Sequence, residues 1–194
     1  MTPSEQFETR GYCVIEGLLD ESQIRMTSMA MDVAKRQGVM VDGPDGGNAI
    51  QQYAPVLGEV YLRHCRQRIE QASGCELIES YALWRIYGHG GKLREHRDRE
   101  SCELTVSIAL EADPAENRWA FELKDLGDEH RSLLLAPGDG VIVQGHRIRH
   151  WREPLQGQMQ KQLFLHYVHR HGAYTEHAFD GRSSDPLKHM TSKG

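Results

Sequence analysis

The chain has 194 residues, which fits one domain with a short appendage and allows a core that needs neither disulfides nor a structural metal. Lys and Arg total 23 against 28 Asp and Glu, giving a formal charge of −5 without the basic stripe that a phosphate backbone requires; nucleic acid is not an expected partner. Histidine stands out at 11 residues, being the commonest metal ligand and the usual proton carrier near neutral pH.

Residues 1–10 hold neither a basic cluster backed by an apolar run nor a bilayer-length span, so the chain reads as cytoplasmic, with no membrane partner. Cys13, Cys65, Cys75 and Cys102 form no C-x-x-C pair or regular framework and are expected as free thiols. Gly11–Gly17 predicts a short strand. Glu21–Gln37 predicts a helix with apolar residues at Ile24, Ala30, Met31, Val33 and Ala34, stopped by Gly38. Val41–Gly47 is too rich in glycine for either element. A second helix runs from about Pro55 to Ser73, where Leu62, Cys65, Ile69 and Ala72 recur at helical spacing before Gly74.

After Glu79 the pattern changes to short apolar runs divided by Gly, Pro and Asp. Strands are predicted at Tyr81–Tyr87, Leu104–Leu110, Trp119–Leu123, Ser132–Leu135, Gly140–Gln144 and Gln160–Val168. Six short strands with turn punctuation predict a mostly β, α+β chain built on an antiparallel sandwich or barrel, buttressed by the N-terminal helices. Residues 1–172 make one domain. Residues 173–194 read as a polar tail, loosely held or folded over a site as a lid.

The chemistry is carried by a series of segments. These are Tyr87-Gly-His-Gly-Gly-Lys-Leu-Arg-Glu-His96-Arg-Asp98, Thr105–Leu110, Leu135–Val143, His150-Trp-Arg-Glu-Pro-Leu-Gln-Gly157 and Lys161–Val168. Over residues 7 to 172 the series resembles the Fe(II)- and 2-oxoglutarate-dependent oxygenases, most closely their prolyl 4-hydroxylase-like branch. In that branch a tyrosine and a double glycine precede H-x-D, a later histidine sits before a Pro…Gly turn, and a basic residue opens the next strand. The resemblance implies a double-stranded β-helix (jelly-roll, cupin-like) core, with Fe(II), 2-oxoglutarate and O2 as cofactor and cosubstrates. The implied reaction is hydroxylation of a C–H bond in a small amino-acid-like molecule or a peptidyl residue, with release of succinate and CO2.

Two imidazoles and one carboxylate on one face of a metal leave three adjacent positions open. His96 and Asp98 have strand spacing, and the resemblance makes His150 the third ligand, with His146 as the alternative. Lys161 shares a strand face with Leu163, Leu165 and Tyr167, and a buried ammonium there demands an anionic partner. The resemblance makes that partner the distal carboxylate of 2-oxoglutarate. Thr105, Ser107 and Ala109 form a small, polar face suited to a pocket wall, and Thr105 or Tyr87 would give the cosubstrate a hydroxyl hydrogen bond. Arg85, Arg97 and Trp151 are candidates for contact with a substrate bearing an anionic group. Two positions depart from the branch: Leu93 stands where a tyrosine is frequent, and the gap from His150 to Lys161 is one residue longer. The readings left beside the oxygenase are a cupin-like metal enzyme that does not use 2-oxoglutarate and a silent binding module of the same fold.

Overall fold

The computed structural model of the protein describes residues 1–44 and 48–182. Helix α1 (Pro3–Arg10) starts with Pro in its first turn. Thr2 caps it by accepting from Glu5 N while Glu5 accepts from Thr2 N, and Gly11 ends it in the left-handed region at φ 78°. Helix α2 (Glu21–Arg36) repeats the device with Asp20 and Gln23, and α3 (Val56–Ser73) follows Pro55 and stops at Gly74. The two longer helices match the sequence expectation to within a residue, whereas α1 lies in a segment where no element was expected.

Eleven strands follow in chain order among the described residues: β1 (Tyr12–Ile15), β2 (Val41–Asp42), β3 (Ala49–Tyr53), β4 (Leu77–Gly88), β5 (Leu93–His96), β6 (Leu104–Asp113), β7 (Phe121–Lys124), β8 (His130–Leu133), β9 (Gly140–Val143), β10 (His150–Arg152) and β11 (Met159–His169). They form a seven-stranded sheet ordered β1-β9-β6-β11-β4-β3-β2 and a four-stranded sheet ordered β5-β10-β7-β8, with every ladder antiparallel. From β4 onward the chain passes back and forth between the sheets. This is the double-stranded β-helix, two sheets rolled face to face around one interior.

The pleat of the large sheet decides what enters that interior. On β6, Val106, Ile108 and Leu110 join Leu163, Leu165 and Tyr167 of β11 in a core with Met31 of α2 and Leu62, Cys65 and Ile69 of α3. The alternate residues, Thr105 and Ser107 of β6 with Gln162, Phe164 and His166 of β11, are buried on the face turned toward the small sheet. Both faces of these strands are covered, one by helices and one by the second sheet.

The segment after β11 is fastened down as far as Arg182. Asp180 accepts from Tyr53 Oη at 2.7 Å and pairs with Arg99 at 2.8 Å, and Arg182 reaches Glu59 at 3.0 Å and Ser80 O at 2.6 Å. The first part of the expected loose tail is thus a strap along β3 and β4; the rest of it, 183–194, lies outside the described residues. For the helix-facing core, Leu163→Ala is expected to cost about 3 kcal/mol of unfolding free energy. Urea denaturation should show this as a lower midpoint at unchanged m-value.

Candidate active site

His96 and His150 are direct cross-strand partners in the β5·β10 ladder, so their side chains leave the small sheet on the same face. Asp98 lies just beyond the end of β5 rather than within it, and its N–H donates to Gly145 O at 2.9 Å. The carboxylate Oδ1 sits 3.3 Å from His96 Nε2 and 3.6 Å from His150 Nε2. All three potential ligand atoms fall within 4.8 Å of one another. A metal with bonds of about 2.1 Å places adjacent ligands roughly 3 Å apart, so the group fits one ion with little adjustment.

The orientation of each ligand is fixed from behind. His96 Nδ1 lies 2.8 Å from Arg94 O and His150 Nδ1 lies 3.1 Å from Ile148 O. A carbonyl oxygen only accepts, so both Nδ1 atoms carry a proton, and Nε2 is the atom that each neutral ring would offer to a metal. Asp98 Oδ2 accepts the Thr105 hydroxyl at 2.6 Å, in the space that a missing Cβ leaves at Gly145. Burial alone would raise the Asp98 carboxyl, but the two imidazoles, His166 and Thr105 together hold it well below the usual carboxylate range. Burial also pushes His150 below its ordinary value. Asp98 and His150 are therefore in their ligand forms at neutral pH.

The triad opens into a cavity of about 150 Å³ inside the barrel, lined also by Tyr81, Arg85, Thr105 and His166. Arg85 is held by Gln51 Oε1 and donates to Tyr87 Oη at 3.0 Å. Tyr87, fully buried, sits two residues further along the same strand face, edge-on to Trp119. Among the expected site residues, His96, Asp98, His150, Thr105 and Arg85 meet at this cavity, with Tyr87 behind Arg85. His146 does not join them; its Nδ1 bonds Glu103 O and its ring faces Tyr174.

Three expected residues are elsewhere. Lys161 does share a face with Leu163 and Leu165, and it is buried, but that face lies under the helices. Its ammonium pairs with Asp32 of α2 and Glu111 of β6, both at 2.8 Å. The anionic partner that its burial demands is supplied by the protein itself. Trp151, between two inward residues of β10, points to the outer side of the small sheet and stacks on His130. Arg97 is exposed and donates to Arg147 O. Thr105 gives its hydroxyl proton to Asp98, which removes it from the role of hydroxyl donor to a cosubstrate.

Two interior residues stand outside the expected site set, although the sequence already puts Arg152 among the arginines that flank His150. Arg152 follows His150 by two positions on β10, on the same face, and is 1% exposed. Its guanidinium has only neutral oxygens for partners: Trp119 O at 2.6 Å, and Ser107 Oγ and Gln162 Oε1 at 3.4 Å; Nε has none among the described residues. Burial lowers its pKa to about 10 despite the influence of Tyr87 and Glu122. His166, facing inward from β11, is the second. The period of two would have revealed both.

No protein-family model and no curated protein matches the chain. Solved structures do. The chain is similar to a Pseudomonas putida prolyl-4-hydroxylase, with 15% identity over 86% of this chain and 97% of that one and a TM-score of 0.70. It is similar to a Trichoplax adhaerens prolyl hydroxylase solved with a hypoxia inducible factor peptide fragment, at 14% identity, 87% and 88% coverage and a TM-score of 0.71. A third is HygX from Streptomyces hygroscopicus, with nickel and 2-oxoglutarate bound, at 10% identity, 86% coverage of both chains and a TM-score of 0.67. The fold is that of the Fe(II)- and 2-oxoglutarate-dependent oxygenase structures.

Two measurements check this description of the site. Gly145→Ala, whose Cβ would meet Asp98 Oδ2 and Cys102 O, should weaken metal binding at least about tenfold in a titration with Mn(II). The second concerns pH. His150 and His166 have folded pKa values below the ordinary 6.5, that of His166 near 4, so protonation favours the unfolded chain. Stability is complete above pH 6.5 and declines as the pH falls toward 4; thermal midpoints of the chelator-treated protein should follow that curve, and His166→Phe should flatten it.

Proposed function

We propose that the protein is an Fe(II)- and 2-oxoglutarate-dependent oxygenase that hydroxylates a C–H bond of a small amino-acid-like molecule or a peptidyl residue. The observation that carries this reading is a pairing inside one barrel: a triad of two imidazoles and a carboxylate, and two residues along the same strand a buried guanidinium with no carboxylate partner among the described residues. A dicarboxylate that chelates a metal through its 2-oxo acid end needs a cation for its other end. Arg152 is that cation, in the place expected for Lys161. The 2-oxoglutarate with nickel in HygX and the peptide in the Trichoplax enzyme support the ligand class and the range of substrates.

When bound, iron and 2-oxoglutarate supply the oxygen activation that side chains lack. His96, Asp98 and His150 would hold the metal, each through one ligand atom. Arg152 neutralises and orients the distal carboxylate, with charge-assisted hydrogen bonds strengthened by burial. The Trp119 and Phe121 rings lie 4.9 and 5.2 Å from its guanidinium carbon and keep water from it. Arg85 lines the cavity and gives it a positive charge, which favours a substrate carrying a carboxylate or phosphate.

The test is spectroscopic and needs no substrate. Anaerobic addition of Fe(II) and 2-oxoglutarate should produce the weak visible charge-transfer band of the chelate, and Asp98→Ala should abolish it. Arg152→Met should keep the metal but raise the half-saturating 2-oxoglutarate concentration by about 30-fold, the loss of one buried charge-assisted contact. Lys161→Met should leave that concentration unchanged. A wild-type protein that binds iron without any band would favour the cupin-like enzyme, and an Arg152→Met curve coinciding with wild type would remove the arginine from the role given it.

A further inference from the structure

Thr105 and His166 are cross-strand partners on β6 and β11, on the barrel face. Asp98 Oδ2 accepts from Thr105 Oγ1 at 2.6 Å, and His166 Nδ1 lies 3.0 Å from that same hydroxyl oxygen. An ionised carboxylate only accepts, so the single hydroxyl proton belongs to Asp98, and Thr105 Oγ1 has only lone pairs left for His166. His166 Nδ1 is therefore the donor, and the ring is the neutral tautomer with its lone pair on Nε2. Nε2 is buried without a partner among the described residues. Burial that pushes the imidazole down to about 4 keeps it neutral. Tyr81 packs against the ring with centroids 4.4 Å apart and the planes tilted by 33°.

The direction of this chain matters for the metal. Oδ1 is the Asp98 oxygen near both imidazole Nε2 atoms, and Oδ2 is the oxygen tied to Thr105. A carboxylate free to rotate can chelate through both oxygens, and that would consume a coordination position. A chelating 2-oxo acid and O2 need three. Thr105 by itself could turn its hydroxyl toward other acceptors, but a donor behind it fills the lone pair and polarises the O–H toward Asp98.

We propose that His166 is a positioning residue for the metal: acting through Thr105, it ties back Asp98 Oδ2 so that Asp98 binds through Oδ1 alone and three adjacent positions remain open. This rests on the metal-binding reading above. Its role is distinct from that of a ligand or an acid–base group, because the ring touches Thr105 rather than the metal ligands.

Mn(II) is the probe, and the water-proton relaxation rate of the Mn(II)-loaded full chain counts the waters on the ion. Wild type should show the enhancement of three bound waters. His166→Phe keeps an aromatic ring against Tyr81 and loses the donor; it should lower the inner-sphere enhancement by about one third, three waters becoming two. His166→Gln restores an N–H and should restore the rate. Thr105→Val cuts the same chain at its other link and should match His166→Phe. Enhancement unchanged in both His166→Phe and Thr105→Val overturns the inference while leaving the metal site in place. A wild-type protein that binds no Mn(II) overturns instead the metal-binding reading beneath it.

Discussion

The geometry of the candidate centre depends on a single cross-strand pair. His96 and His150 face each other across β5 and β10, strands of four and three residues at one edge of the small sheet. So short a ladder does not set its own register, and the neighbouring loops bond across it. Gly90 N donates to Leu155 O, Leu155 N to Gly91 O, both at 2.8 Å, and Asp98 N to Gly145 O. The double glycine after β4 thus has a structural use. Gly90 takes φ 75°, and a Cβ at Gly91 would collide with Asn48 O and Gly88 O. Backbone bonds from both loops tie the strand that ends in His96 to the strand that begins with His150.

Charge inside the barrel follows from what that edge brings together. Asp98 sits among the imidazoles of His96, His150 and His166, while Arg85 lines the same cavity and Arg152 is buried two residues along β10 from His150. The whole chain carries −5, yet its interior carries cations. A buried Arg bonded only to neutral oxygens is an unfavourable arrangement by itself, and an anion entering the barrel relieves it. The Lys161 cluster is the contrasting case: one ammonium against two half-exposed carboxylates is complete without a ligand, and it joins α2 to the large sheet.

Much of this was legible in the residue pattern. The period of two on β6 separates Val106, Ile108 and Leu110 from Thr105 and Ser107, and the structure gives the first set to the helices and the second to the cavity. The two long helices were legible from their spacing and their Gly stops. The short elements β2, β3, β5 and β10 were not, because two to five residues carry too little periodicity to separate from a loop. The inward direction of Arg152 and His166 was hidden for another reason. Polar residues on a barrel interior look like surface residues in sequence, and only pairing them by parity with a known inward neighbour, His150 or Phe164, gives them away.

The misplacement of Lys161 has the most specific cause. On β11, Gln160, Gln162, Phe164 and His166 alternate with Lys161, Leu163, Leu165 and Tyr167, and the second set is the apolar one. The rule that put Val106 and Ile108 under the helices puts Leu163 and Leu165 there too, and Lys161 goes with them. On a strand, a shift of one residue sends a side chain to the opposite face, so the parity of Lys161 with Leu163 and Leu165 fixes its side. Gln160 and Gln162 turn inward as a consequence, so the last strand brings no cation to the interior. Positive charge comes to the interior from other strands: Arg85 of β4 lines the cavity, and Arg152 of β10 reaches Gln162 and Ser107 across the interior. The parity of a single strand thus accounts both for a lysine that braces a helix and for the glutamines that β11 turns toward the interior.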